Sequence, residues 1–304
     1  MGLSPREDIA PVIRLRVLIN KKLDDVWQRF LDPLTMIQWL GDEISADIRS
    51  GGHITFLGNS APTTSEMGNR WEIKELTEKK GILFGWNILG SDSLFVLRFR
   101  PINGGTYLEL KHGAIPESAV AFHLPEHWIV LLANFKSVME LGYSALRFDY
   151  SEYRPLRITR YDSKEVRLSI HIKAPRALPF DWWTNPEKLR HFIRAEQPKV
   201  DRQYAGIYTW WAEGQGPVVF TKMEHDQEIE FTWVYGDELE TKVNVRFDDI
   251  DGETLVTLHH FGFMQPEGVV GYDIGWVALL AELKLLCELG SSGIERLGIW
   301  EEAL

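Results

Sequence analysis

Apolar and polar residues alternate with period two over residues 12–19 (VIRLRVLI) and again over residues 166–172 (VRLSIHI), which predicts a half-buried strand at each place. A helical period governs two later stretches. Trp128, Leu131, Leu132, Phe135, Val138 and Met139 share one face, and Trp276, Leu279, Leu280, Leu283, Leu286 and Cys287 repeat that spacing. A short helix is expected after each strand, around Trp27 and around Phe180. Asp32-Pro33 and Asn185-Pro186 then pair an N-cap residue with a proline at the first helical position, which starts a second short helix. Strands with glycine-rich turns follow, marked by Gly51-Gly52, Gly104-Gly105 and Asp251-Gly252. Each half thus runs strand, two short helices, several strands, long helix.

The halves match residue by residue. WIVLLANFKSVMELG (128–142) aligns without a gap on WVALLAELKLLCELG (276–290), a shift of 148 residues (128 to 276). FRPINGGTYLELKHG (99–113) aligns on FDDIDGETLVTLHHF (247–261) at the same shift, and ILFGWNI (82–88) on IEFTWVY (229–235) places Trp86 on Trp233. DPLTMIQWL (32–40) corresponds to NPEKLRHFI (185–193). A shared helical period alone would not set a Trp at the head and a Gly at the tail of both long helices. The pattern is a tandem duplication. The expected organisation is a first domain over residues 10–148, a polar linker over 149–163 containing Pro155, and a second domain over 164–304. The class is α+β, an antiparallel sheet packed against one long helix. Ile294, Leu297 and Trp300 in the tail are expected to dock on the second domain.

Composition narrows the function classes. The 304 residues suit two domains, and 44% hydrophobic with 25% charged residues is an ordinary globular mixture. A net charge of −11 without a run of basic residues argues against nucleic acid and anionic membrane surfaces as partners. The single cysteine, Cys287, permits no intrachain disulfide and fits a reducing compartment. With no apolar leader core and no apolar run long enough to span a bilayer, the expectation is a cytoplasmic protein without membrane insertion.

The residues quoted above carry a family likeness. DPLTMIQWL after the first short helix, Gly51-Gly52 before a strand, ILFGWNI, LELKHG and the helix from Trp128 with LLANFK resemble the START-like (SRPBCC) superfamily. Within it they resemble the activator of heat shock protein 90 ATPase homologue C-terminal-domain family. NPEKLRHFI, IEFTWVY, LVTLHHFGF and the helix from Trp276 with LLAELK repeat the likeness, with Gly206 alone where the first half has its Gly pair. The resemblance implies two tandem helix-grip domains. In each, a curved antiparallel sheet wraps round a long C-terminal helix, with two short helices after the first strand and a ligand cavity between sheet and helix. In the eukaryotic activator this module accompanies a separate N-terminal domain implicated in chaperone stimulation, whereas here both halves resemble the START-like module.

Inward faces supply the candidate ligand-binding residues. On the strands these are Phe84, Trp86, Leu110 and His112, matched by Phe231, Trp233, Leu258 and His260. Trp128, Leu132 and Phe135, and then Trp276, Leu280 and Leu283, face them from the helices. They describe a filled core or a pocket for a hydrophobic or aromatic small molecule, bound without catalysis and without a cofactor. His112 and His260 are the candidate catalytic residues for a cyclase-like or hydrolase-like alternative; otherwise each would hydrogen-bond a nearby loop carbonyl. A third class is a protein-interaction module, with a chaperone or a second copy as partner. No metal site is expected: His123 and His127 flank Pro125, and His259 and His260 point to opposite faces of a strand.

Overall fold

In the computed structural model, residues 11–41, 43–57, 69–88, 90–115, 123–146, 164–194, 197–211, 215–235, 240–269 and 271–301 are described. The chain forms two compact units, Met1–Arg147 with Gly293–Leu304, and Phe148–Ser292. The linker expected at 149–163 lies outside the described residues.

The first unit opens with β1 (Pro11–Ile19), α1 (Leu23–Leu31) and α2 (Pro33–Trp39). Six strands follow: β2 (Ser45–Asp47), β3 (His53–Phe56), β4 (Asn69–Thr77), β5 (Gly81–Ile88), β6 (Ser91–Ile102) and β7 (Gly105–Gly113). The long helix α3 (Leu124–Leu141) comes next. The second unit repeats the order with β8 (Val166–Ile172), α4 (Ala177–Thr184), α5 (Pro186–Phe192), β9 (Lys199–Val200) and β10 (Tyr208–Thr209). It continues through β11 (Gln215–Glu224), β12 (Glu228–Tyr235), β13 (Thr241–Ile250), β14 (Glu253–Phe261) and the helix α6 (Tyr272–Leu289). Both units are the α+β helix-grip arrangement expected from the sequence. Their sheets are antiparallel, ordered β11-β12-β13-β14-β8 in the second unit.

Local chemistry accounts for the elements. Asp32 caps α2 by accepting from the Leu34 and Thr35 amides at 3.3 and 3.2 Å, and Asn185 caps α5 through Glu187 and Lys188. The long helices both stop at a glycine in the left-handed region, Gly142 (φ 83°) and Gly290 (φ 75°), where a Cβ would be strained. The single apolar stripe understates α3. It is buried on all sides between His127 and Met139, because α1 and α2 cover the flank that the sheet does not. Two of its polar residues are satisfied inside: Asn134 accepts from Ser144 Oγ at 2.9 Å, and Ser137 Oγ donates to the Tyr143 carbonyl at 2.7 Å.

Each long helix is also tied to the end of the first strand of its unit by a buried ion pair. Lys136 donates to the Leu18 carbonyl at 2.7 Å and to Glu140 at 2.5 Å, and Glu140 accepts from the Asn20 amide at 2.8 Å. In the second unit Lys284 donates to the His171 carbonyl and to Glu288 at 2.7 Å, and Glu288 accepts from the Lys173 amide at 2.8 Å. All four side chains are at least nine-tenths buried. Burial lowers the Lys284 pKa, and the partner carboxylate opposes that shift.

The C-terminal segment departs from expectation. Residues Ile294–Glu301 form β15, which pairs antiparallel with β1, so the sheet of the first unit runs β15-β1-β7-β6-β5-β4-β3-β2. The tail therefore completes the first unit instead of docking on the second, whose last residue is Ser292. Without β15, β1 would be an edge strand with a row of unpaired amides and carbonyls. Ile294 faces Val17 and is 5% exposed, while Leu297 is 40% exposed. Replacing Ile294 by Ala should cost the first unit about 2–4 kcal/mol, the usual range for deleting a buried aliphatic side chain. Urea denaturation followed by hydrogen exchange of β1 and β14 would read this. Equal destabilisation of both strands, or none, would contradict the assignment of β15 to the first unit.

Candidate functional site

The period-two faces of β5, β6 and β7 bring Phe84, Trp86, Phe95 and His112 under α3, where Trp86, Phe95 and His112 meet Trp128 and Phe84 stacks on Phe95. Trp86 stacks on His112 (centroids 5.7 Å apart, planes 23°), and Trp71 of β4 stacks on Trp128 (5.7 Å, 27°). Leu110 and Leu132 are buried, at 1% and 3% exposure. Phe135 belongs elsewhere. It packs with Phe30 and Trp39 at 5.4 and 5.0 Å, in a cluster built by α1 and α2.

In the second unit Trp233 and His260 meet Trp276 in the same way, with Trp233 and Trp276 centroids 5.1 Å apart, and Phe231 packs against Trp233. Leu258, Leu280 and Leu283 are fully buried beside them. Here the ring stacked on the helix tryptophan is Trp183 of α4 (6.2 Å, 29°), so one packing position is filled from a strand in one unit and from a helix in the other.

Each histidine sits in a hydrogen-bonded chain of its own, and the two chains are built alike. Trp128 Nε1 donates to His112 Nδ1 at 3.0 Å, and Trp276 Nε1 donates to His260 Nδ1 at 3.1 Å. An indole N–H can only donate, so Nδ1 is the acceptor and the imidazole proton is on Nε2. His112 Nε2 then donates to Ser93 Oγ (3.0 Å), which donates to the Trp86 carbonyl (2.8 Å). His260 Nε2 donates to Thr241 Oγ1 (2.8 Å), which donates to the Trp233 carbonyl (3.3 Å). The acceptor at the end of each chain is thus a strand carbonyl reached through a hydroxyl. Burial pushes both imidazoles down to a pKa of about 3, so they are neutral. Neither has a nitrogen to spare for a substrate proton.

Several members of these clusters escaped the sequence reading. Trp71 and Trp210 lie where the halves no longer align, whereas Trp183 takes the place of Phe30 in the first short helix of its unit. Ser93 and Thr241, however, stand at the same 148-residue shift (93 to 241) as the two histidines, so the duplicated hydroxyl was a readable signal. In the second unit the rings continue outward. Trp210 packs edge-on against Trp211 (5.5 Å), and Trp211 also meets Trp233 (6.2 Å) and remains 44% exposed. Gly216, at φ +80°, lets the Trp211 ring approach to 3.0 Å from where a Cβ would be. Trp233 Nε1 donates to the half-buried Tyr272 hydroxyl at 3.1 Å. The corresponding cluster residues Trp71, Trp86, Phe95 and Trp128 are all buried.

A separate polar groove of about 450 Å³ lies on the first unit between α1, α2 and the end of α3. Lys21, Asp25, Gln28 and Arg29 wall it and Met139 forms part of its lining, but none of the predicted ligand-binding residues reaches it. Cys287 is half-buried, and burial pushes its thiol up to about 12, the opposite of an activated nucleophile. Among the described residues no three His, Cys, Asp or Glu side chains gather as a metal site, and no helix is long and apolar enough to cross a membrane.

The histidine chains impose a pH dependence. Each imidazole has a folded pKa below its unfolded one, so stability is fully present above about pH 6.5 and is lost as pH falls from there towards 3. The slope should approach about 1.4 kcal/mol per pH unit for each histidine. In His112→Gln the first unit should lose its share of that slope between pH 6 and 4, measurable by urea unfolding at stepped pH. An unchanged slope would refute the neutral, buried assignment.

A match to one family model fits the two-copy architecture. The family model described as "Activator of Hsp90 ATPase homolog 1-like protein" matches residues 20–140 and again 173–288. Among solved structures, DynU16, a protein of the dynemicin biosynthetic locus, is 18% identical, covering 93% of this chain and 100% of its own (TM-score 0.38). CalU16 from Micromonospora echinospora is 24% identical over 43% of this chain and 75% of its own (TM-score 0.37). The Aha1 dimer from Colwellia psychrerythraea is 17% identical over 43% and 97% (TM-score 0.36). No curated protein matches the chain. The family model covers most of both units, and the chain belongs to the Activator of Hsp90 ATPase homolog 1-like family, which it carries in two tandem copies.

Proposed function

We propose that this protein binds an apolar, aromatic small molecule non-covalently, and that the second unit holds it. The observation that carries this reading is the ring row of that unit, which runs from the buried Trp276 and Trp233 to the half-exposed Trp211. An incoming planar ligand meets an indole first and finds further rings behind it, with edge-to-face contacts already present. The first unit, with its cluster closed, serves as a packed structural partner. The histidines position Trp128 and Trp276 and perform no chemistry; a cyclase-like or hydrolase-like reaction would require His112 or His260 to surrender one of its two hydrogen bonds. The half-buried single cysteine suits a reducing, cytoplasmic setting.

Fused-ring probes test this. Naphthalene, 2-naphthol and fluorene should raise the melting temperature of the purified protein and quench its tryptophan emission. Trp211→Ala, at a half-exposed position, should keep the fold and weaken binding about tenfold, the equivalent of one aromatic contact. The reading fails if none of the three probes shifts the transition, or if Trp211→Ala binds them as the parent does.

A further inference from the structure

The charge arrangement on the outer face of the first unit's sheet points to a second kind of partner. Inward Ile13, Leu15 and Val17 turn Arg14 and Arg16 of β1 outward, and inward Leu97 and Phe99 do the same for Arg98 and Arg100 of β6. Between them β7 presents Tyr107, Glu109 and Lys111. The register sets Arg14 opposite Lys111, Arg16 and Arg98 on either side of Glu109, and Arg100 opposite Tyr107. Cations far apart in the chain are thereby gathered on one face of a protein whose net charge is −11.

The carboxylates on this face are already engaged. Glu109 pairs with Arg100 at 2.8 Å and Glu295 with Arg16 at 2.5 Å. Arg16 and Arg100 also hold their guanidinium carbons 4.8 and 5.4 Å from the centre of the Tyr107 ring, which orders both side chains. Arg98 is exposed and Lys111 half-exposed, and neither has an ion-pair partner among the described residues.

The second unit supplies an internal control. Its residue at the position of Arg98 is Arg246, and at the position of Arg100 it has Asp248, which pairs with Arg246 at 2.8 Å. At the position of Lys111 it has His259, bonded to Glu165 at 2.9 Å. The equivalent face is neutralised within itself, whereas the first unit replaces the neutralising aspartate by a further arginine.

We propose that the outer sheet face around Arg98, Arg100 and Lys111 docks an acidic segment of a partner protein. A short run of Asp or Glu side chains feels this patch locally, within a Debye length of about 8 Å at physiological salt. A long polyphosphate would meet the field of the whole acidic chain, so nucleic acid is the disfavoured occupant. Fluorescein-labelled hexaglutamate is the probe. It should bind the intact protein at low ionic strength, weaken as salt rises, and lose at least about tenfold in affinity with Arg98→Glu, while Arg246→Glu leaves it unchanged. Both substitutions are at exposed positions, and unchanged melting temperatures would show that the folds persist. No hexaglutamate binding at low salt, or equal binding by Arg98→Glu, would overturn the proposal. Tighter Arg98-dependent binding of a hexathymidylate would overturn the choice of partner in favour of nucleic acid.

Discussion

A helix buried on nearly every side must have each of its polar groups answered from within, and this requirement organises both units. The long helix is held to its sheet at two points by polar contacts of opposite character. Near its start a neutral chain runs from the indole of Trp128 or Trp276 through an imidazole and a hydroxyl to a strand carbonyl. Near its end a charged pair, Lys136 with Glu140 or Lys284 with Glu288, reaches the backbone where the first strand finishes. Hydrophobic burial supplies most of the stabilisation but has no direction. These contacts specify the axial position and rotation of the helix, since losing either partner would leave a buried donor, acceptor or charge unanswered.

The aromatic clusters follow from that placement. Once the helix tryptophan is fixed by the imidazole, a second ring can stack on it from any neighbouring element, and the two units use different ones, Trp71 from a strand and Trp183 from a helix. The stacking position is what the packing requires, and its sequence origin is free to drift. The same freedom explains the surfaces. Arg246 with Asp248 and Arg98 with Arg100 occupy equivalent turns of equivalent strands, yet one pair cancels and the other accumulates charge.

Much of this was legible in the chain before any coordinates. Periodicity and the 148-residue repeat (128 to 276) give the element order, the two copies and the inward placement of His112, His260, Trp128 and Trp276, because these depend on local spacing. The imidazole partners were less accessible: Ser93 and His112 are neighbours only through the β6–β7 register. Phe135 shows the limit of a helical face, since residues on one stripe seven positions apart enter different clusters. The destination of the tail was hidden for a related reason. IERLGIWE carries no clean period-two alternation, and pairing with β1 joins residues almost a whole chain apart, a choice that no local pattern encodes.

That pairing has a kinetic side. The strand that closes the edge of the first unit is synthesised after the whole of the second, so the ribosome delivers β1 through α3 long before their last neighbour. During that interval the β1 edge is open, and the second unit can fold while the first still lacks its outermost strand. The order of synthesis and the order of completion are therefore inverted, and the N-terminal half of this protein is the last to be finished.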